Sequence, residues 1–203
     1  LFHFVGGDLK TKFMEGANIR VQGSSTIAKN LMGGHFVAGD HLQVLGSIAA
    51  CQVYAQGDIV TKDVGRKQGS HTDIYLGISF KVARSYTLNI HRVDFFTELS
   101  QEINEELKAL QAQSKDTTAL EHRLNRVLAI IKKLNGVVRR RHKKLIDNRE
   151  SRLSVKGILC ENTRLFFSDK PCLVNHDIAA VDVRYIDNAR GIQDYVVPIR
   201  HIS

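Results

Sequence analysis

The sequence predicts a mainly β protein with an α insertion: a right-handed parallel β-helix (β-solenoid) interrupted by an antiparallel coiled-coil hairpin and followed by returning β-strands. Three observations carry this reading. Short apolar or β-branched runs broken by Gly-containing corners fill residues 1–93, an apolar spacing of three and four takes over in 94–150, and strand-like alternation resumes in 151–203. The expected domains follow these spans: a β-solenoid, an inserted helical hairpin, and C-terminal strands that rejoin or cap the first β unit.

Four corners in the first segment look alike: Val5-Gly6-Gly7-Asp8-Leu9, Glu15-Gly16-Ala17-Asn18-Ile19, Val37-Ala38-Gly39-Asp40-His41-Leu42 and Tyr54-Ala55-Gln56-Gly57-Asp58-Ile59. In each, Gly permits a tight corner and a later apolar residue restarts a strand pointing into a shared core. Gly7, Gly16, Gly39, Asp40, Gly57 and Asp58 are therefore the expected structural corners. Gly7 and Gly16 are 9 apart, whereas Gly39 and Gly57 are 18 apart, so coils of unequal length or two corners per coil are expected. The competing reading is an antiparallel sheet with Gly-Asp hairpins.

In the second segment Phe96, Leu99, Ile103, Leu107 and Leu110 form one seam. Leu120, Leu124, Val127, Ile131, Leu134 and Val138 form another. Two such seams joined by a short polar connection at Ser114-Lys115-Asp116-Thr117 predict an antiparallel hairpin reversing near residue 115. Thr118-Ala119-Leu120-Glu121 has the spacing of a capping box for the second helix. After Arg152, alternation returns in residues 153–159 and 179–186, with Asp187-Asn188-Ala189-Arg190-Gly191 as a turn before the last strand.

This order of segments resembles the flagellar assembly protein A family, whose β-solenoid is similar to that of the bacterial septum-site inhibitors. The residues carrying the resemblance are Ala38-Gly39-Asp40 with Leu42 and Val44, then Ala55, Gly57 and Asp58, then Leu76-Gly77 ahead of Thr87-Leu88-Asn89-Ile90. The stretch Gly157–Thr163 departs from it, lacking a Pro-Gly pair. The resemblance implies a cytoplasmic, non-catalytic protein that helps assemble or place a polar organelle by binding other proteins.

Composition excludes several other classes. With 203 residues and 43% hydrophobic residues the chain can bury a core, and it holds no apolar run near the roughly 20 residues that span a bilayer. Cys51, Cys160 and Cys172 are an odd number without C-x-x-C spacing, so neither a disulfide framework nor a zinc knuckle is expected. The start at Leu1, already inside a strand-like pattern, points to a piece of a longer protein. His35 and His41 have no neighbouring cysteine, and no phosphate-cradling or nucleophile-elbow motif occurs. Cys51 lies in an apolar stretch and reads as a core residue. Aligned corners would stack Asp8, Asp40 and Asp58 into a carboxylate ladder, able to bind calcium or to act as the acid/base pair of a carbohydrate-acting solenoid. The plainer reading is that each Asp caps its own corner. No catalytic group, metal or cofactor is therefore expected.

The formal net charge is +8, from 29 Lys and Arg against 21 Asp and Glu. The excess gathers in one element, and most densely at Arg139, Arg140, Arg141, Lys143 and Lys144, the expected partner-binding residues. With a first helix starting at Asp94, Lys132 and Lys133 would face Glu98 and its neighbours, while 139–144 would lie beyond the reach of local acids. An acidic protein is thus the expected partner, and homo-oligomerisation is open. Nucleic acid or another anionic surface is the alternative, disfavoured because no aromatic residue lies between Lys132 and Arg152 to stack on bases.

Overall fold

The computed structural model describes residues 2–66, 68–145, 149–167, 171–185 and 195–198. Among the described residues eleven strands precede the helices: β1 (His3–Val5), β2 (Leu9–Thr11), β3 (Met14–Glu15), β4 (Asn18–Val21), β5 (Ser25–Ile27), β6 (Leu31–Met32), β7 (His35–Ala38), β8 (Leu42–Ala49), β9 (Gln52–Ala55), β10 (Ile59–Val64) and β11 (Thr72–Leu76). The helices are α1 (Phe80–Ala112) and α2 (Thr118–Lys143). Then come β12 (Arg152–Leu159), β13 (Thr163–Phe166), β14 (Pro171–Leu173), β15 (Ile178–Arg184) and β16 (Val196–Pro198). The chain divides into a β unit, residues 1–80 with 145–203, and a helical unit, 81–144.

The β unit is a solenoid. One sheet runs β1-β4-β7-β9-β11-β13-β14 and the other β16-β15-β12-β10-β8-β5-β2, with β3 and β6 attached beside the latter. Pairing is parallel up to β13 in the first sheet and up to β12 in the second, so successive strands of a sheet belong to successive coils. The returning strands close the sheets differently: β14, β15 and β16 pair antiparallel. The antiparallel Gly-Asp hairpin reading of the first segment is thereby displaced. The expected turn at 187–191 lies outside the described residues.

Alternation explains the core. Phe36, Val53, Ile74 and Leu165 occupy one register position on β7, β9, β11 and β13 and are all buried, because every second side chain of a strand points inward. Their neighbours in sequence point outward and stack coil on coil. Tyr54 and Tyr75 lie 4.0 Å apart between ring centroids, and Tyr75 and Phe166 4.2 Å apart. Beside them, the buried carboxylate of Asp73 accepts from Arg164 Nε at 2.6 Å and from a terminal guanidinium nitrogen at 2.7 Å.

The first helix starts at Phe80, not near Asp94, so residues 80–93 are helical where strand was expected. In the helical unit Ile103, Leu107 and Val127 are buried, packed by Phe96, Leu99, Leu120, Leu124 and Ile131. The expected seams therefore meet in the middle and tip of the hairpin. The cap of α2 is shifted by one residue: Thr117 is the N-cap, and Asp116 Oδ1 accepts from Thr118 N–H at 2.9 Å, while the Thr117 hydroxyl binds Glu121 Oε1 at 2.8 Å.

Candidate interaction surface

Two sets of residues compete for a functional role, the corner acids of the solenoid and the basic end of the hairpin. The corner acids make hydrogen bonds that their spacing did not reveal. Asp8 Oδ1 accepts from the backbone N–H of Ser24 (2.8 Å), Asp58 Oδ1 from that of Arg152 (2.9 Å), and Asp63 Oδ1 from that of Ile158 (2.8 Å). Asn18 and Asn30 do the same for His35 (3.1 Å) and Ser47 (3.0 Å). Each of these side chains serves the next coil rather than its own corner, which corrects the capping expectation. The residue before the donor is often Gly: a Cβ on Gly23, Gly46 or Gly157 would overlap the Asp or Asn oxygen that reaches across.

The corners also fall out of the expected alignment. Leu42 pairs with Ile59, so His41 stands opposite Asp58, and Asp40 opposite Gly57. His41 Nδ1 accepts from Asp58 N–H at 2.9 Å, and Asp40 Oδ2 accepts from the Ser24 hydroxyl at 3.1 Å. Asp8, Asp40 and Asp58 therefore form no stacked carboxylate ladder. Among the described residues no group of three or more His, Cys, Asp or Glu side chains is arranged to hold a metal. Of the predicted corner glycines, Gly16 has φ +61, and Gly39 and Gly57 sit against neighbouring coils, whereas a Cβ on Gly7 would meet nothing. Cys51 is a core residue, its thiol pushed up to about 12 by burial, so it carries its proton at neutral pH.

The basic end is built by α2. Arg139, Arg140, Arg141, Lys143 and Lys144 are all exposed, and Arg140, Arg141 and Lys143 belong to the last helical turn, where positive charge is favoured by the helix dipole. Tyr86 of α1 packs on His142 with ring centroids 5.7 Å apart, so α1 does extend alongside this cluster. That revises the expected register, and it brings an aromatic ring to a cluster that had none within its own stretch of sequence.

The charge consequence survives in a stronger form. From Phe80 to Val93, α1 contains no Asp or Glu, but does contain Lys81, Arg84 and Arg92. Among the described residues Arg139, Arg140, Arg141, Lys143 and Lys144 make no ion pair, and neither do Lys132 and Lys133, which were expected to meet Glu98 and its neighbours. The sequence pattern does not reveal the α1 cations as part of this end, because residues 80–93 carry strand-like residue types although they are helical. Once the helix is extended back to Phe80, both helices are basic at this end.

Among the described residues no helix is long and apolar enough to cross a membrane. Over residues 4–190 the chain matches the family model described as the Flagellar Assembly Protein A beta solenoid domain. No curated protein and no solved structure matches it.

Proposed function

Since the chain belongs to the Flagellar Assembly Protein A β-solenoid family, we propose that it is a non-catalytic cytoplasmic scaffold in flagellar assembly or polar placement that binds acidic protein partners through the basic end of its hairpin. The observation that carries this reading is the uncompensated charge: Arg139, Arg140, Arg141, Lys143 and Lys144 are exposed, and the stretch of α1 alongside them offers no acid. Like charges at i,i+4, such as Arg139 with Lys143 and Arg140 with Lys144, repel within a helix, and an acidic surface relieves that repulsion on binding.

The test compares wild type with Arg140→Glu/Lys144→Glu in capturing proteins from a flagellated bacterium's lysate, with and without nuclease. Flagellar proteins should be captured by wild type, resist nuclease, and be lost in the double variant. Their capture should weaken with salt, as the Debye length falls from about 10 Å at 0.1 M to about 3 Å at 1 M. Equal capture by both versions would move the binding surface to the β unit. Nuclease-sensitive material would favour nucleic acid instead.

A further inference from the structure

The face of α1 that packs on α2 uses Phe96, Leu99, Ile103 and Leu107. A second stripe runs along α1 on a different flank. It opens with Lys81 and Arg84, continues through Leu88, His91 and Phe95, and closes with Glu98, Glu102 and Glu105. The steps alternate three and four without a break, which is the heptad spacing of a helix–helix seam, and every residue of the stripe is exposed. Leu88 is 50% exposed and Phe95 60%, although a heptad seam ordinarily buries such side chains. The stripe is cationic at one end, apolar in the middle and anionic at the other. None of its Lys, Arg or Glu side chains makes an ion pair among the described residues.

We propose that this stripe is a self-recognition surface on which two copies of the chain pair antiparallel, α1 against α1. The charge pattern selects both the occupant and the direction. An antiparallel seam in this register sets Lys81 of one copy against Glu105 of the other, Arg84 against Glu102, Leu88 against Glu98, and His91 against Phe95. A two-fold axis then repeats each pair, so Lys81 and Arg84 of each copy meet acids of the other, and His91 and Phe95 of both copies lie at the centre. Parallel pairing would place cations on cations and acids on acids. The acids of the stripe are also crowded on their own helix, since Glu98 and Glu102 are four residues apart, and an opposing cationic end relieves that repulsion. The pairing does not rest on the acidic-partner reading above, because it uses α1 and needs no other protein.

Sedimentation velocity on the full chain provides the test. Wild type should form a dimer that dissociates as salt is raised. Lys81→Glu/Arg84→Glu should be monomeric because its stripe becomes acidic at both ends, and Glu102→Lys/Glu105→Lys should be monomeric because its stripe becomes basic at both ends. An equimolar mixture of the two should again sediment as a dimer, since each reversed pair is now complemented. Phe95→Ala should raise the dissociation constant about tenfold. Circular dichroism identifies any variant that fails to fold, and Phe95→Ala still tests the seam in that event. The proposal is overturned by a monomeric wild type at low salt, by a dimer that persists in both charge variants, or by a mixture of folded variants that stays monomeric. Those outcomes leave the lysate-capture result untouched.

Discussion

Among the described residues the β unit buries twenty-four in one cluster, whereas the helical unit buries three in its own. A coil of the solenoid meets neighbours above and below as well as across the core, so its inward positions, its stacked outer rings and many of its corner side chains are committed to the next coil. A helix in a two-helix hairpin commits one stripe and leaves the rest of its circumference free. The comparison teaches where variation in chemistry can be carried. Charge accumulates on the hairpin because nothing in its own packing forbids it there.

The sharpest contrast between the units is expected in alkali. In the β unit the Cys51 thiol is raised from 9.0 to about 12, and the Tyr54 and Tyr75 phenols are raised as well, in each case first by burial. The unfolded chain releases the thiol proton near pH 9 while the folded chain keeps it. The folded state then binds more protons, and its stability falls as pH rises from about 9 toward about 12. The buried seam of the hairpin is built of apolar side chains. Strand signal should therefore disappear before helical signal in a circular-dichroism titration; loss of helix first would contradict the assignment.

Substituting alanine for glycine should have opposite signs in the two units. Gly34 has φ +73, and a Cβ there would run into the backbone of Ala17 on the preceding coil, so Gly34→Ala should cost about 3 kcal/mol. Gly136 lies inside α2 with open space around a Cβ, so Gly136→Ala should stabilise the chain by about 1 kcal/mol through helix propensity. Urea denaturation of both variants measures the pair. The smallest contrast concerns hydroxyls. Ser25 Oγ is buried without a partner among the described residues, so Ser25→Ala should raise stability by about 1 kcal/mol. In the hairpin the exposed Thr97 hydroxyl donates to Val93 O at 2.8 Å, and Thr97→Ala should change the thermal midpoint very little.

Much of this architecture was legible in the residues. The solenoid, the hairpin with its reversal near 115 and the returning strands follow from alternation and from the spacing of three and four. The coil-to-coil register did not, because identical Gly-Asp pairs occur in different phases. Asp40 and Asp58 look equivalent in sequence, yet Asp40 stands opposite Gly57. The useful signal was a different one, a donor placed 16 or 17 residues after an Asp or Asn, often with Gly just before that donor. The start of α1 was hidden by Tyr86, Thr87 and Ile90, residue types at home in strands. Extending an existing helix needs only one further hydrogen bond per residue, and that outweighed their local preference. The basic cluster itself was visible, but what lies beside it depended on that misplaced helix start.

The bond from Asp58 to Arg152 spans 94 residues, while its counterparts earlier in the solenoid span 16 or 17. As a flexible loop, that longer span would add about 1.5 kcal/mol of closure entropy to the coil that follows. An antiparallel hairpin is built from local contacts and forms quickly, and the contact between Tyr86 and His142 holds its two open ends side by side. Once it has formed, the chain on either side behaves as if the intervening residues were nearly absent. On this topology the helical unit is a folding aid to the strands that come after it: with α2 docked on α1, a chain emerging from the ribosome closes its next coil with less of that entropy cost.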